Sequence, residues 1–317
     1  MDNVNKTGIS YFIMKGITDD PELQVVTFFL VLLIYLLTIA GNMTIFLLIC
    51  VDRQLHNPMY FFLGNLSILD ISCSTITLHK ILITFVTGNS RTDFPLCMMQ
   101  FYCFSSFTSI ELLILTAMSY DRYVAICRPL YYSVVMNPRA SVVLALACWL
   151  VGFIEFVPYM ILLLRISCYR SNIINHFFCD INPIMKLSCS DTSALELLIF
   201  TEGVFLLSVS PFLLTIISYI FIITSIMRIQ SSSGRRKTFY TCSSHLSVVV
   251  LLYGTLFFQY LRPTTMDTLD SNKMFSLFNT AAVPVLNPII YSLKNKTVKS
   301  ALMRRTVLYF KKSKLKD

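Results

Sequence analysis

Charge is what this sequence has least of. Asp, Glu, Lys and Arg together supply 14% of its 317 residues, against 55% hydrophobic residues and a mean hydropathy of +0.67. A soluble domain of this length would carry nearer a quarter charged residues, so a soluble fold is excluded. Internal repeats and low-complexity linkers are missing, and so is any charged track through the apolar runs, which argues against a transporter or channel. A basic start and an apolar core are both absent from "MDNVNKTGISYFIMKGITDDPE" (1–22), which is therefore not read as a cleavable signal peptide. The first apolar run is expected to act as an uncleaved anchor. Histidine is rare, four in all, and His245 has no partner at metal-ligand spacing. With no paired metal or nucleophile motif either, an enzyme is not expected.

What the sequence does contain is seven apolar runs near 25–50, 58–79, 96–120, 140–164, 203–227, 239–261 and 274–293. About 20 helical residues cross roughly 30 Å of hydrocarbon, so each run is long enough to span a bilayer. The expected fold is an all-α integral membrane protein, a seven-transmembrane helix bundle followed by a short amphipathic helix. Residues 1–24 read as an extracellular tail, 25–293 as the bundle, and 294–317 as a cytoplasmic amphipathic helix and tail lying on the inner leaflet. Arg53, Arg122, Arg128, Arg139, Arg228, Arg235, Arg236 and Lys237 border the first, third and fifth connections, and nine more basic residues follow Leu293. The bias puts those segments in the cytosol and the N-terminus outside. The net charge of +9 is then a topology signal; it fits anionic membrane lipid as partner and no nucleic acid. Cys97, Cys168, Cys179 and Cys189 fall on the outer side, where two disulfides are expected with three pairings open. Asn5-Lys6-Thr7 is a glycosylation sequon on the outer tail; Asn42 and Asn65 match the pattern but lie inside runs.

Ionisable groups in a bilayer should face the bundle interior. Counting at about 1.5 Å per residue puts Asp70, Glu111, Asn42 and Asn287 near one level. Two readings stand: an oxygen-rich site for a small cation such as sodium, or a proton- and water-sharing network that fixes helix packing. Pro284 and Pro288 in "PVLNPIIY" each remove a helix hydrogen bond and mark a hinge or kink, and Pro211 marks a similar irregularity in the fifth run. "MSYDRYVAIC" (118–127) ends the third run with Asp121, Arg122 and Tyr123. Tyr219 and Tyr291 end near the depth of Arg122 and are placed to receive its guanidinium once it leaves Asp121. Thr241, Ser244, His245 and Val248 share one helical face, expected to pack on spans three and five.

Together the blocks "LHNPMYFFLGNLSILD" (55–70), "MSYDRYVAICRPLYY" (118–132), "HFFCD" (176–180), "KLSCSDT" (186–192), "KTFYTCSSHLSVVVLLYG" (237–254) and "NPIIYSLKN" (287–295) resemble the odorant receptor family of rhodopsin-like G protein-coupled receptors. The resemblance implies a plasma-membrane receptor for a small odorant that activates a heterotrimeric, stimulatory-type G protein, with a non-olfactory chemosensory receptor as the alternative. It implies disulfides Cys97–Cys179 and Cys168–Cys189, a sodium ion at Asp70 and Glu111 as the one candidate cofactor, and an inner latch of Asp121 and Arg122. Tyr123, Tyr219, Tyr253, Asn287, Pro288 and Tyr291 join that latch in activation. The ligand is expected in the outer half of spans three, five, six and seven. Its candidate lining is Phe104, Ser105, Thr108 and Ser109, then Val204, Leu207 and Ser208, then Leu256, Phe257 and Tyr260, and finally Leu277 and Thr280. That lining suits a small, neutral or weakly polar molecule. Glu155 in span four is expected to hydrogen-bond to span three or five rather than to a ligand cation.

Overall fold

The structure, a computed structural model, describes residues 6–7, 9–18, 20–260, 268–294 and 296–313; within these, side chains such as Val204, Leu207, Ser208 and Tyr260 fall outside the description. Asn5 also lies outside the described residues. Among the described residues, seven helices are long and apolar enough to cross a membrane: Glu22–Val51, Pro58–Thr87, Phe94–Cys127, Pro138–Leu164, Ser210–Met227, Ser232–Phe258 and Lys273–Tyr291.

Most spans run further than their apolar stretches because their ends are capped by polar side chains rather than set by hydropathy. Asp20 accepts from the Glu22 amide at 3.0 Å, Asn57 from Tyr60 at 3.3 Å and Asn137 from Ala140 at 2.9 Å. In each case proline follows the cap, where its missing N–H costs nothing. Span two continues to Thr87 and stops at Gly88, whose φ of 69° needs no Cβ. The fourth crossing breaks into Pro138–Ile154 and Val157–Leu164, just before Pro158.

Spans five and seven carry wide-turn segments. Residues Ile199–Val209 form a π-helix that ends two residues before Pro211, and Phe278–Ala282 form another that ends two before Pro284. A proline gives up its own amide bond and crowds the carbonyl one turn back, so the disturbance falls on the preceding turns.

The N-terminal tail is woven into the face that carries the disulfides. Strand β1 (Lys6–Thr7) pairs antiparallel with β4 (Cys168–Tyr169). Strand β2 (Tyr11–Met14) is the centre of a second sheet, antiparallel to β3 (Arg91–Asp93) and parallel to β5 (Ile173–Ile174). Its alternation is period two: Phe12 and Met14 are buried and Tyr11 and Ile13 only partly so. Phe12 packs on Phe94 and Tyr169, tying tail, third span and long outer loop into one apolar cluster.

The main core draws residues from spans one, two, three, four, six and seven. Two glycines allow close helix approach. A Cβ on Gly41 would lie 2.9 Å from Pro288 Cγ, and one on Gly152 would meet the Ile110 amide and the Ser106 carbonyl at 3.2 Å. The C-terminal helix, Lys296–Ser313, buries Val298 and Ala301 against that core and exposes Leu302 and Met303. It is longer than a short stub because no proline or glycine interrupts 296–313.

Candidate functional site

The outer end is closed by the long loop. Disulfides join Cys97 to Cys179 and Cys168 to Cys189, with Cα atoms 5.4 and 5.3 Å apart. Gln100 doubles the first link: its Oε1 accepts from the Cys179 amide at 3.0 Å and its Nε2 donates to the Ile76 carbonyl at 2.7 Å. Next to Cys179 the loop drives His176, Phe177 and Phe178 inward, all nearly inaccessible. Phe178 meets Phe104 edge-on at 4.8 Å, and Cys73 with the partly buried Ile76 and Leu277 completes the cluster. Sequence reading identified Phe104 and Leu277 but passed over Gln100, Phe177 and Phe178; the paired aromatics of "HFFC" next to Cys179 were the available signal.

His176 is buried without a charge partner. Its Nδ1 accepts from the Phe178 amide at 3.4 Å and its Nε2 has no hydrogen-bond partner. Burial, reinforced by the positive charge of Lys273, pushes the imidazole down to about 3, so it is neutral at physiological pH.

The candidate ligand residues fall into three groups. Phe104 and Leu277 share the cluster under the loop. Leu256 and Phe257 belong to the central core, where Phe257 stands perpendicular to Phe212 at 5.5 Å and Tyr253 lies 5.0 Å from Phe212. Thr108 Oγ1 donates to the Phe104 carbonyl at 3.0 Å and Ser109 Oγ to Glu155 Oε2 at 2.8 Å. Ser105, between these groups in sequence, is half-buried. Glu155 is thus engaged with span three. Thr280 is fully buried: its hydroxyl donates to Ser276 and its carbonyl accepts from Ser74 at 3.2 Å, which places it in the joint between spans two and seven.

The mid-membrane polar residues divide in two. Asn287 Nδ2 lies 3.0 Å from both carboxylate oxygens of Asp70 and also faces Glu111. Glu111 Oε1 has no hydrogen-bond partner, though Glu111 is only 6% exposed. Asn42 does not join them through its amide: its Nδ2 donates to Thr38 and Pro284 carbonyls, stitching span one to span seven. Asn65, the other sequon inside a span, accepts from Trp149 Nε1 at 3.0 Å. Two buried carboxylates with an orphaned oxygen form a donor set that suits a hard cation. No group of three or more His, Cys, Asp and Glu side chains is present among the described residues, so Asn, Ser or water oxygens would complete such a shell.

At the inner end Arg122 Nε stands 3.8 Å from Asp121 Oδ2, while Asp121 Oδ1 accepts from Tyr132 Oη at 2.9 Å. Burial first, then Asp121 itself, push the Tyr132 phenol up, so it stays a donor. Tyr132, in the connection after span three, is a partner the sequence reading did not foresee. Tyr123 packs on Phe221 of span five.

With Arg122 still beside Asp121, the Tyr219 hydroxyl is held by span six. His245 Nε2 faces the Leu115 carbonyl at 3.1 Å and so carries the proton, which leaves Nδ1 to accept from Tyr219 Oη at 2.8 Å. One imidazole thereby bridges spans three, five and six. Tyr291 is fully buried with its hydroxyl unpartnered.

Comparison with known proteins is consistent in one direction. A family model described as "Olfactory receptor" matches residues 31–309. The chain is similar to mouse olfactory receptor 5AR1 (46% identical over 96% of the chain and 98% of that protein) and to mouse olfactory receptor 5G9 (48% identical over 97% of each). Human olfactory receptor 5AR1 is 44% identical over 96% of the chain and 98% of its own length.

Proposed function

We propose a mechanism for a chain that belongs to the olfactory receptor family, and is therefore an odorant receptor of the multi-pass plasma membrane and not an enzyme. A small, mostly apolar organic molecule binds beneath the loop cap, among Phe104, Ser105, Thr108, Leu256, Phe257 and Leu277. Its binding favours an arrangement in which spans five and six part from span three at the inner end. Ligand shifts that equilibrium only by its greater affinity for the open form.

Two devices hold the inner end closed. Asp121 restrains Arg122, with Tyr132 orienting the carboxylate. His245 pins span six to Leu115 and Tyr219. Opening span six frees the Tyr219 hydroxyl, and Arg122 then engages a heterotrimeric G protein of the stimulatory class. Asp70 and Glu111 would hold a sodium ion, which would neutralise two buried carboxylates between the outer cluster and the latch. Neutralised, they would stabilise the closed bundle.

The basic bias supports an extracellular N-terminus and a cytoplasmic C-terminus. Arg304 of the last helix donates to Asp52 of the first connection at 2.8 Å, so these basic segments share one face. The single observation that carries the reading is the Asp121–Arg122 pair at the end opposite the disulfide-bound cap. An odorant screen reading cyclic AMP tests it. Arg122→Ala should lose the response while keeping surface expression; an alanine variant that signals like the parent would sink the latch.

A further inference from the structure

On the inner face, away from the latch, the first, second and fourth spans diverge around a groove of 360 Å³. Its walls include Ile49, Leu55, Phe61, Pro138 and Val142, and its mouth includes His56. Val142 and Phe61 are exposed, 44% and 36%, so the groove opens sideways toward the bilayer. The mouth is different in character. Spans two and four both begin there, each with an asparagine cap and a proline at its first turn, so two positive helix ends open beside it. Arg53, in the turn that supplies Leu55, and Arg139, next to Pro138, are both exposed. Asp52, the acid next to Arg53 in sequence, is occupied: it accepts from Arg304 and from the Gln54 amide.

We propose that this groove binds an anionic phospholipid of the inner leaflet, one acyl chain against Ile49, Phe61 and Val142 and the headgroup phosphate among Arg53, His56, Arg139 and the two helix ends. The charge of the mouth selects the occupant. A neutral lipid would match the walls and leave the two arginines unanswered, and a free phosphate would match the mouth and leave the walls bare. The leaflet rests on the orientation proposed above; the choice of headgroup does not.

The full receptor reconstituted in phosphatidylcholine nanodiscs, with spin-labelled phosphatidylserine or phosphatidylcholine as probe, tests the site without any odorant. The parent should retain phosphatidylserine preferentially. Arg53→Gln and Arg139→Gln should each reduce that preference about five-fold, the weight of one basic residue at a lipid surface. Val142→Trp should fill the groove and lower retention of both probes, whereas Lys311→Gln with Lys312→Gln, in the basic tail, should change neither. A parent without headgroup preference, a preference that survives both arginine changes or is lost only with the tail lysines, or equal displacement by cholesterol would each overturn the proposal. Loss of cyclic AMP signalling with lipid preference intact would strike the receptor mechanism alone, and an N-terminal tag found inside cells would strike the leaflet alone.

Discussion

His176 is held neutral by burial in the outer cap, and this makes stability depend on pH. Its folded value of about 3 lies below the unfolded one near 6.5, so the unfolded chain binds more protons between those limits. Stability contributed by the outer cap is therefore intact above about pH 7 and declines as pH falls through that window. At pH 5 the loss should be about 2 kcal/mol, measurable as a lower unfolding temperature of the purified receptor. His176→Gln should flatten the pH dependence, since an amide does not titrate. Asp70 offers a second single-residue test. Thermal stability should rise with sodium chloride relative to an organic cation in the parent, and the rise should vanish in Asp70→Asn. A sodium response that persists in that variant would leave the pair as a hydrogen-bond network only. The fully buried hydroxyl of Tyr291 is unpartnered.

At the scale of elements, the joints between spans are set by glycine, proline and a few amides rather than by hydropathy. Gly152→Val should destabilise the contact of spans three and four by about 1–3 kcal/mol, because Ile110 and the Ser106 carbonyl leave no room. A thermal-shift assay on the purified variant checks it. His245→Phe should release Tyr219 and span six, raising basal cyclic AMP in the absence of odorant.

The seven crossings were legible because a long apolar run has one meaning in a bilayer, whereas the expectation of a latch at Asp121 and Arg122 came from the family resemblance and not from the charge pair alone. Three features were not legible. Span two runs eight residues past its expected end, to the Gly88 cap, and Lys80 within the added turns donates to the Arg91 carbonyl at 2.6 Å. Asn42 looked like a member of the carboxylate cluster by depth, yet depth carries no azimuth, and its amide faces the Pro284 carbonyl. Tyr132 lies beyond Arg128-Pro129, where a sequence reading sees only a helix end. The chain returns there through a short turn that swings the phenol back to Asp121.

For the whole molecule, the outer cap and the inner face are stabilised by different physics. The cap depends on covalent and strand links between distant segments; the inner face depends on helix packing and a few ion pairs. Replacing Cys168 and Cys189 with serine releases a loop closed over 21 residues and should cost the cap about 3 kcal/mol. Hydrogen exchange should then rise over the long outer loop and the tail, with the inner halves of spans two and three unchanged. Arg304→Ala should have a smaller effect, confined to the C-terminal helix, since that pair is partly open to solvent.

Strand β2 sits between β3 and β5, partners separated by about 80 residues of chain. The tail leaves the ribosome first, yet one of its two neighbours is not made until four membrane crossings have been synthesised. Until then Phe12 and Met14 lack part of the cover that the finished sheet gives them. Completion of this sheet is thus set by the last of its three strands to be synthesised.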